Sequence, residues 1–386
     1  MNSVELFAGA GGLALGVSKA GFQHLQVLEW DDDSCNTIRF NKFRNIEHVK
    51  DWPLYHGDVR GFDFCKYEDK VDLVSGGPPC QPFSLGGKHR GHRDHRDMFP
   101  EAVRAVREMR PCAFMFENVK GLLRESFSRY FEYVLRQLEY PEICIKKGET
   151  WESHLQRLER YHTGGAQSGL CYRVVFSLVN AADYGIPQRR ERVILVGFRN
   201  DLNVQWCFPQ KTHSREALLW SKWISEEYWE RHRIPRRARP ERPADIDVKI
   251  DGFVAPVEKP WVTVRDAISD LPDPVTNRRN RMMNHVYQPG ARVYMGHTGS
   301  PMDEPGKTLK AGDHGVPGGE NMVVLADGST RYFTVRESAR LQTFPDDYGF
   351  AVSWTESMRQ LGNAVPAELS HLVASDIHKH LARLEN

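Results

Sequence analysis

A strand that ends abruptly in glycine and proline most strongly limits how this chain can fold. The apolar run at 71–74 predicts a buried strand, and the Gly-Gly-Pro-Pro sequence at 76–79 cannot continue a β-ladder. Cys80 follows directly, at the kind of strand end where open α/β sheets bind ligands. We therefore expect Cys80 to be a nucleophile held on a stiff turn. The alternative is a cysteine packed as a small apolar residue, which the polar, glycine-rich flanks disfavour.

Size and composition predict a globular protein with two lobes. The chain has 386 residues, of which 27% are charged and 40% hydrophobic. No apolar run approaches the roughly 18 residues of a membrane span, and the strand-like start at Ser3 leaves no room for a signal peptide. None of the seven cysteines forms a Cys-x-x-Cys pair, so we expect a reducing cytoplasm rather than a disulfide framework.

The beginning of the chain has the pattern strand, glycine turn, helix. Residues 3–7 predict a strand, residues 13–20 predict a helix ended by Gly21, and Gly9, Gly11 and Gly12 lie between them. Such a turn lets a nucleotide approach the backbone and the helix N-terminus. The spacing differs from the Gly-x-Gly-x-x-Gly of dinucleotide-binding proteins, which disfavours a nicotinamide oxidoreductase.

Two further strand ends carry residues suited to an adenosine group. Glu29 ends an apolar run and can accept hydrogen bonds from ribose hydroxyls, while Trp30 can cover a face of adenine. The alternative is a solvated acid beside a half-buried aromatic ring. Asp58 and Val59 follow Gly57 in a third turn. Together the three turns predict a nucleotide-binding edge.

Acidic and basic residues also follow apolar segments farther along the chain. Glu117 lies near the end of the predicted strand 113–119, and Arg190 and Arg192 alternate, so that both point to one face of a strand. Alternatives are a helix-capping role for Glu117 and a salt-bridged surface strand for the arginines. The pattern over 131–161 is mostly helical, whereas regular alternation of strands and helices fades after about residue 200.

Six motifs in order resemble the DNA (cytosine-5)-methyltransferase family, in its prokaryotic restriction-modification or orphan form. The motifs are Phe-x-Gly-x-Gly-Gly at 7–12, Gly-Pro-Pro-Cys-Gln-Pro-Phe-Ser at 77–84, Glu-Asn-Val at 117–119, Gln-x-Arg-x-Arg at 188–192, Arg-Glu-x-x-Arg-Leu-Gln-x-Phe-Pro at 336–345 and Gly-Asn-Ala-Val-Pro at 362–366. The resemblance implies an α/β, Rossmann-like sheet of the S-adenosylmethionine-dependent methyltransferases, with helices on both faces and a smaller, irregular target-recognition domain.

The same resemblance implies how the chain is divided. We expect residues 1–199 to form the catalytic and cofactor-binding domain and residues 200–332 to form the target-recognition domain. Residues 333–355 would be a hinge segment, and residues 356–386 would return to the catalytic domain.

Site residues are likewise implied by the resemblance. Cys80 would attack C6 of a flipped-out cytosine, Glu117 would act at N3, Arg192 at O2, and Arg190 would support them. S-adenosylmethionine, converted to S-adenosylhomocysteine, would be bound by Phe7, Gly9, Gly11, Gly12, Glu29, Trp30, Asp58, Val59, Pro78, Asn363 and Val365.

Contacts with DNA are expected in two basic stretches, because the net charge of +1 hides clusters at 88–96 and 231–242. The expected DNA-contacting residues are Ser84, Lys88, Arg90, Arg93, Arg96, Arg236, Arg237 and Arg239. The alternatives are solvated surface loops or, for the second cluster, an import signal. We expect no metal site, since no carboxylate or cysteine completes a ligand set around His92 and His95.

The expected partner is double-stranded DNA, with a separately acting restriction endonuclease as a second partner. We expect no membrane, a monomer on DNA, and a bacterial cytoplasm with association to the nucleoid through DNA. The nearest rival is the tRNA-methylating branch of the family, whose Cys-Phe-Thr element is absent because Pro209 follows Cys207-Phe208. A catalytically silent DNA-binding relative is a second rival, which the presence of Cys80 and Glu117 disfavours.

Overall fold

The chain divides into two compact units. The computed structural model describes residues 1–79, 97–165, 168–243, 254–277, 281–295, 298–311 and 319–384. The first unit comprises Met1–Val179, Glu191–Pro209 and Ser370–Asn386, and the second comprises Asn180–Arg190 and Gln210–Leu369. The four functional ranges expected from the sequence remain a prediction, since compactness does not report function.

A mixed sheet forms the centre of the first unit. Its strands are β1 (Asn2–Leu6), β2 (Gln23–Glu29), β3 (Leu54–His56), β4 (Leu73–Gly76), β5 (Ala113–Val119), β6 (Tyr172–Asn180) and β7 (Glu191–Arg199). Within the described residues the order of the seven strands is β3-β2-β1-β4-β5-β7-β6. Strands β1 to β5 pair in parallel, whereas β7 runs antiparallel to β5. The order in which strands are added therefore reverses between β1 and β4, and open α/β sheets bind ligands at such a reversal.

Helices of the first unit connect these strands. They are α1 (Gly12–Lys19), α2 (Asp32–Phe43), α3 (Phe99–Met109), α4 (Ser128–Glu139) and α5 (Trp151–Thr163). Because parallel crossovers are right-handed, the reversal of strand order puts α1 and α2 on one face of the sheet and α3 on the other. A continuous apolar core joins Val4, Val74 and Phe114 of the sheet to Ala102 and Val106 of α3.

The second unit is less regular. Its described strands are short: β8 (His213–Ser214), β9 (Lys259–Pro260), β10 (Ser300–Pro301), β11 (Met322–Val324) and β12 (Thr330–Tyr332). Its helices are α6 (Arg215–Trp223), α7 (Glu227–Arg231), α8 (Val264–Ile268), α9 (Val335–Leu341) and α10 (Trp354–Asn363). This unit is packed around small apolar clusters instead of one extended sheet. One such cluster contains Val264, Leu309 and Phe333.

The last helix, α11 (Ala367–Ala382), belongs mostly to the first unit. Ser370 Oγ donates a hydrogen bond to the carbonyl of Gly12 at 3.3 Å. The His378 ring meets the Phe22 ring edge-on, with 5.1 Å between centroids. The C-terminal helix thus packs beside the first glycine turn. Among the described helices, none has both the length and the apolar composition needed to cross a bilayer.

A carboxyl group is buried in the middle of β1. Glu5 is fully buried and lies opposite Ser75 of β4, whose Oγ donates a hydrogen bond to Glu5 Oε2. Burial raises the pKa of Glu5 to about 8, and the Ser75 hydrogen bond only partly opposes this. Glu5 is therefore protonated in the folded protein at neutral pH.

This burial predicts a pH-dependent stability. Because the pKa of Glu5 is higher in the folded than in the unfolded protein, its contribution to the free energy of unfolding is fully present below the unfolded pKa. That contribution is lost as the pH rises towards 8. The wild type should lose about 3 kcal/mol of unfolding free energy between pH 5 and pH 8 that Glu5→Gln does not lose. The stability of the variant relative to the wild type should therefore rise by that amount. Urea denaturation at both pH values measures it, with the exposed Glu47→Gln as control. If the difference in unfolding free energy between Glu5→Gln and the wild type did not change with pH, Glu5 would not have a pKa raised by burial.

Candidate functional site

The turn after β1 uses left-handed backbone at three positions. Phe7, Gly9 and Gly11 have φ values of 56°, 55° and 84°. Such values are strained for a residue with a Cβ, and Phe7 nevertheless adopts one. A Cβ on Gly9 would meet no atom within 4 Å. The turn therefore leaves open space beside its backbone, at the N-terminus of α1.

The Glu29 carboxylate holds this turn against the end of β2. Glu29 Oε2 accepts a hydrogen bond from the Gly9 N–H at 2.6 Å, and Oε1 accepts from the N–H groups of Trp30 and Asp31 at 2.8 Å. Burial raises the pKa of Glu29, against the effect of these hydrogen bonds. Each carboxylate oxygen has two lone pairs, of which Oε1 uses two and Oε2 uses one, so Oε2 can still accept a hydrogen bond from one ligand hydroxyl.

The remaining residues of the predicted nucleotide edge differ in accessibility. The Trp30 side chain is 71% exposed and lies next to the buried Glu29. Asp58 forms an ion pair with Arg60 at 2.5 Å, and this contact lowers the pKa of Asp58. Val59 is buried beside it. An adenine can therefore reach Trp30 directly, whereas the Asp58 side chain already has a partner.

The turn after β4 is fixed from two sides. The Pro78 carbonyl accepts a hydrogen bond from Asn118 Nδ2 at 3.0 Å, and the Pro79 carbonyl accepts from the Met98 N–H at 3.1 Å. Gly76, the last residue of β4, admits no side chain, because a Cβ would lie 2.5 Å from the Leu6 carbonyl oxygen. These two hydrogen bonds hold the turn as far as Pro79. Cys80 itself lies outside the described residues.

Glu117 and Arg192 form a buried ion pair beside this turn. Arg192 Nε lies 2.6 Å from Glu117 Oε1, and the side chains are 12% and 11% exposed. A Cβ on Gly77 would lie 3.3 Å from Glu117 Oε2, so the carboxylate reaches the start of the turn. Burial lowers the pKa of Arg192, and the charge of Glu117 opposes that effect. A carboxylate and a guanidinium therefore lie together beside the start of this turn.

Arg190 has different partners from Arg192. It is fully buried in the second unit, where its guanidinium donates to the carbonyls of Leu309 at 3.1 Å and Gly362 at 2.7 Å. In that unit the exposed Asn363 follows Gly362 directly, and the buried Val365 comes two residues after Asn363. The contacts of Arg190 thus hold the turn of the second unit that bears two of the predicted cofactor residues.

The predicted DNA-contacting residues fall into two groups. Arg236 and Arg237 are exposed, and Arg239 is half-buried. Arg239 and Arg236 both form ion pairs with Glu226, at 2.6 Å and 3.5 Å. Ser84, Lys88, Arg90, Arg93 and Arg96 lie outside the described residues, as do His92 and His95. Across the part of the chain that the structure describes, no three acidic, histidine or cysteine residues are grouped as metal ligands.

The family is established by comparison with known proteins. The model of the C-5 cytosine-specific DNA methylase family matches residues 1–141 and 146–379. This chain belongs to that family. The methylase is thus a DNA (cytosine-5)-methyltransferase, which confirms the family and the activity that the ordered motifs predicted.

Relatives with similar sequences extend over nearly the whole methylase. It is 31% identical to the Type II methyltransferase M.PspPI of Psychrobacter sp. strain TA137 over 382 residues, which cover 98% of this chain and 79% of that protein. It is 30% identical to the Type II methyltransferase M.NgoMIV of Neisseria gonorrhoeae over 386 residues, covering 99% and 98%.

Solved structures match the fold of the methylase. A DNA modification methyltransferase encoded within an E. coli prophage superposes with a TM-score of 0.61 at 20% identity, covering 99% of both chains. The S. pombe Dnmt2 methyltransferase superposes with a TM-score of 0.55 at 16% identity, covering 100% of both. These matches and the central sheet confirm the predicted α/β methyltransferase fold.

Sequence reasoning missed two buried polar residues beside the predicted ones. Asn118 follows Glu117 and holds the Pro78 carbonyl, a role that its position at a strand end could have indicated. Glu5 interrupts the apolar residues of β1, and a charged residue within a buried strand is itself an informative signal. Glu5 joins β1 to β4, and Asn118 joins β5 to the turn after β4.

Proposed function

We propose that this protein transfers a methyl group from S-adenosylmethionine to C5 of a cytosine flipped out of a specific duplex DNA sequence, through a covalent bond between Cys80 and C6. The observation that carries the proposal is the buried Glu117–Arg192 pair beside the turn that leads to Cys80. Family membership supplies the reaction, and this geometry supports the residues we assign to it.

The chain's own residues fit an adenosine cofactor. The open glycine turn, the buried Glu29 carboxylate and the exposed Trp30 ring lie at one edge of the sheet. We assign Gly9 and Gly11 to the close backbone approach, Glu29 to a ribose hydroxyl, and Trp30 to a face of adenine. Phe7, Gly12, Asp58, Val59 and Pro78 complete the proposed set in the first unit. Asn363 and Val365 belong to the second unit, and their cofactor role stays a prediction from the sequence. When bound, the cofactor supplies an electrophilic sulfonium methyl group.

Cys80 makes the cytosine ring reactive in this proposal. C5 of cytosine is a weak nucleophile, and adding a thiolate to C6 converts the ring into an enamine whose C5 carries electron density. After C5 has gained the methyl group, loss of the C5 proton to water, return of the N3 proton to Glu117 and departure of the thiolate restore the aromatic base. A free thiol with a pKa of about 8.5 is mostly protonated at neutral pH, so positive charge near the sulfur favours the reactive form.

Glu117 and Arg192 stabilise the charge that develops on the ring. Attack at C6 places negative charge on N3 and O2. We assign Glu117 to N3, as a carboxyl group that takes up a proton from solvent when the entering base separates it from Arg192, and we assign the guanidinium of Arg192 to O2. In the free protein the two side chains pair with each other at 2.6 Å. The entering base must therefore replace an ion pair by two contacts of its own. Arg190 binds the Gly362 carbonyl within the second unit, and its expected catalytic role stays a prediction from the sequence.

DNA binding has to compensate for extracting the base. C6 lies within the stack of a duplex, and flipping the nucleotide out costs a few kcal/mol. We assign the exposed Arg236 and Arg237 to phosphates, together with the basic stretch at 84–96, and base reading to residues 200–332. We also propose that the protein acts as a monomer on DNA in a bacterial cytoplasm, with a separate restriction endonuclease as partner. The Type II names of its relatives support this setting.

Labelled cofactor distinguishes DNA from tRNA as the substrate. We expect the methyl label to enter duplex DNA and not tRNA, and bisulfite sequencing to locate it at one cytosine within one sequence. DNA affinity should fall steeply between 50 and 200 mM salt, because phosphate contacts release counterions. Label in tRNA, or an affinity that does not change with salt, would contradict the proposal.

A further inference from the structure

The Asn118 side chain joins the ends of two neighbouring strands. Its Nδ2 donates to the Pro78 carbonyl at 3.0 Å, and its Oδ1 accepts from the Val119 N–H at 2.9 Å. The side chain is only 4% exposed. These partners allow one orientation of the amide, because the reverse orientation would direct Oδ1 at the Pro78 carbonyl oxygen.

The turn after β4 depends on such donors. Pro78 and Pro79 have no N–H groups, so their backbone cannot donate hydrogen bonds to a neighbouring strand. Its carbonyls are held instead, Pro78 by Asn118 of β5 and Pro79 by the Met98 N–H just before α3. Asn118 also directly follows Glu117, whose carboxylate reaches the same turn near Gly77. One strand end therefore supplies both the acid and the contact that fixes the turn.

We propose that Asn118 is a positioning residue for methyl transfer, which sets the turn leading to Cys80 relative to Glu117. This inference rests on the proposed function, in which the sulfur and the carboxyl group must reach C6 and N3 of one ring. Asn118 touches neither substrate nor cofactor in this role. A displacement of about 1 Å between reacting groups costs on the order of 100-fold in rate.

Asn118→Asp tests this role with a change of one atom. The aspartate keeps the acceptor towards the Val119 N–H but directs an oxygen at the Pro78 carbonyl, which repels it when ionised. We expect covalent attachment to a duplex containing 5-fluorocytosine to slow about 10- to 100-fold per active site at pH 8. The affinity for DNA should stay within about twofold, whereas the affinity for S-adenosylmethionine is expected to fall modestly, because Pro78 belongs to the proposed cofactor set.

The pH dependence separates positioning from a structural role. A protonated aspartic acid can donate to the Pro78 carbonyl, so the rate ratio of variant to wild type should rise as the pH falls from 8 to 5.5. Rates are divided by the amount of adduct at completion, which removes losses of folded protein. Asn118→Ser, which is uncharged and too short to reach Pro78, gives a second measurement should the aspartate variant fail to fold.

Asn41→Asp is the matched control. Asn41 is fully buried in the same unit, and its Nδ2 donates to the Thr37 carbonyl at 2.8 Å. We expect it to lower stability without changing the rate per active site. Equal rates per active site for wild type and both Asn118 variants would overturn the inference and leave the proposed function intact. The absence of an adduct with the wild type would instead overturn the proposed function.

Discussion

Replacing Cys80 by serine is expected to lower methyl transfer to duplex DNA by at least about 10⁴-fold. A serine hydroxyl is not ionised near neutral pH, so the addition to C6 that activates C5 does not occur. The glycine turn, Glu29 and Trp30 are unchanged, and the affinity for S-adenosylmethionine should therefore stay within about twofold. Transfer of labelled methyl groups and calorimetric titration with the cofactor measure the two quantities.

The control for this substitution is a cysteine elsewhere in the same unit. Cys65 is exposed and lies in a short helical turn at Cys65–Tyr67, outside the proposed site. Cys65→Ser should methylate DNA at the wild-type rate. Substantial methylation by Cys80→Ser, with a product mapped to the same cytosine, would remove Cys80 as the nucleophile.

Glu117→Gln is expected to lower the methylation rate by about 10²- to 10³-fold. Glutamine keeps the shape of the side chain but cannot transfer a proton to N3, and proton transfer by a positioned side chain is worth about 10²- to 10⁴-fold. The change also removes the counter-charge of the buried Arg192, which lies 2.6 Å from Glu117. Single-turnover rates with saturating DNA and cofactor measure the chemical step.

A neighbouring glutamate provides the comparison. Glu191 pairs with Lys120 at 2.8 Å on the surface, where the two side chains are 47% and 59% exposed. Exposed ion pairs contribute little, so Glu191→Gln should leave both rate and stability nearly unchanged. Equal single-turnover rates for Glu117→Gln and the wild type would show that Glu117 takes no part in proton transfer.

The strand ends were predictable because local chemistry determines them. The apolar run at 113–119 forms β5 at those residues, and the glycine turn lies between β1 and α1, as predicted. The helical pattern over 131–161 was less accurate, since α4 ends at Glu139 and α5 begins at Trp151. A periodic pattern of charged and apolar residues does not reveal such a break when Pro141 and Gly148 are overlooked as helix breakers.

Contacts between distant residues were beyond the reach of the sequence. The alternation of Arg190 and Arg192 suggested one shared face, yet Arg192 pairs with Glu117 while Arg190 binds the carbonyls of Leu309 and Gly362. The periodicity of a sequence does not indicate which distant carbonyl group a buried arginine will bind. The same holds for Asn118, whose partner Pro78 lies on another strand.

Covalent trapping tests the central claim most directly. Duplex DNA with 5-fluorocytosine at the methylated position would be incubated with the protein and S-adenosylmethionine. Fluorine at C5 cannot leave as a proton does, so the ring cannot eliminate the sulfur after methyl transfer. We predict a denaturation-resistant adduct of one protein per duplex, with the link mapped to the sulfur of Cys80. No adduct, with cofactor and duplex both bound, would contradict the account.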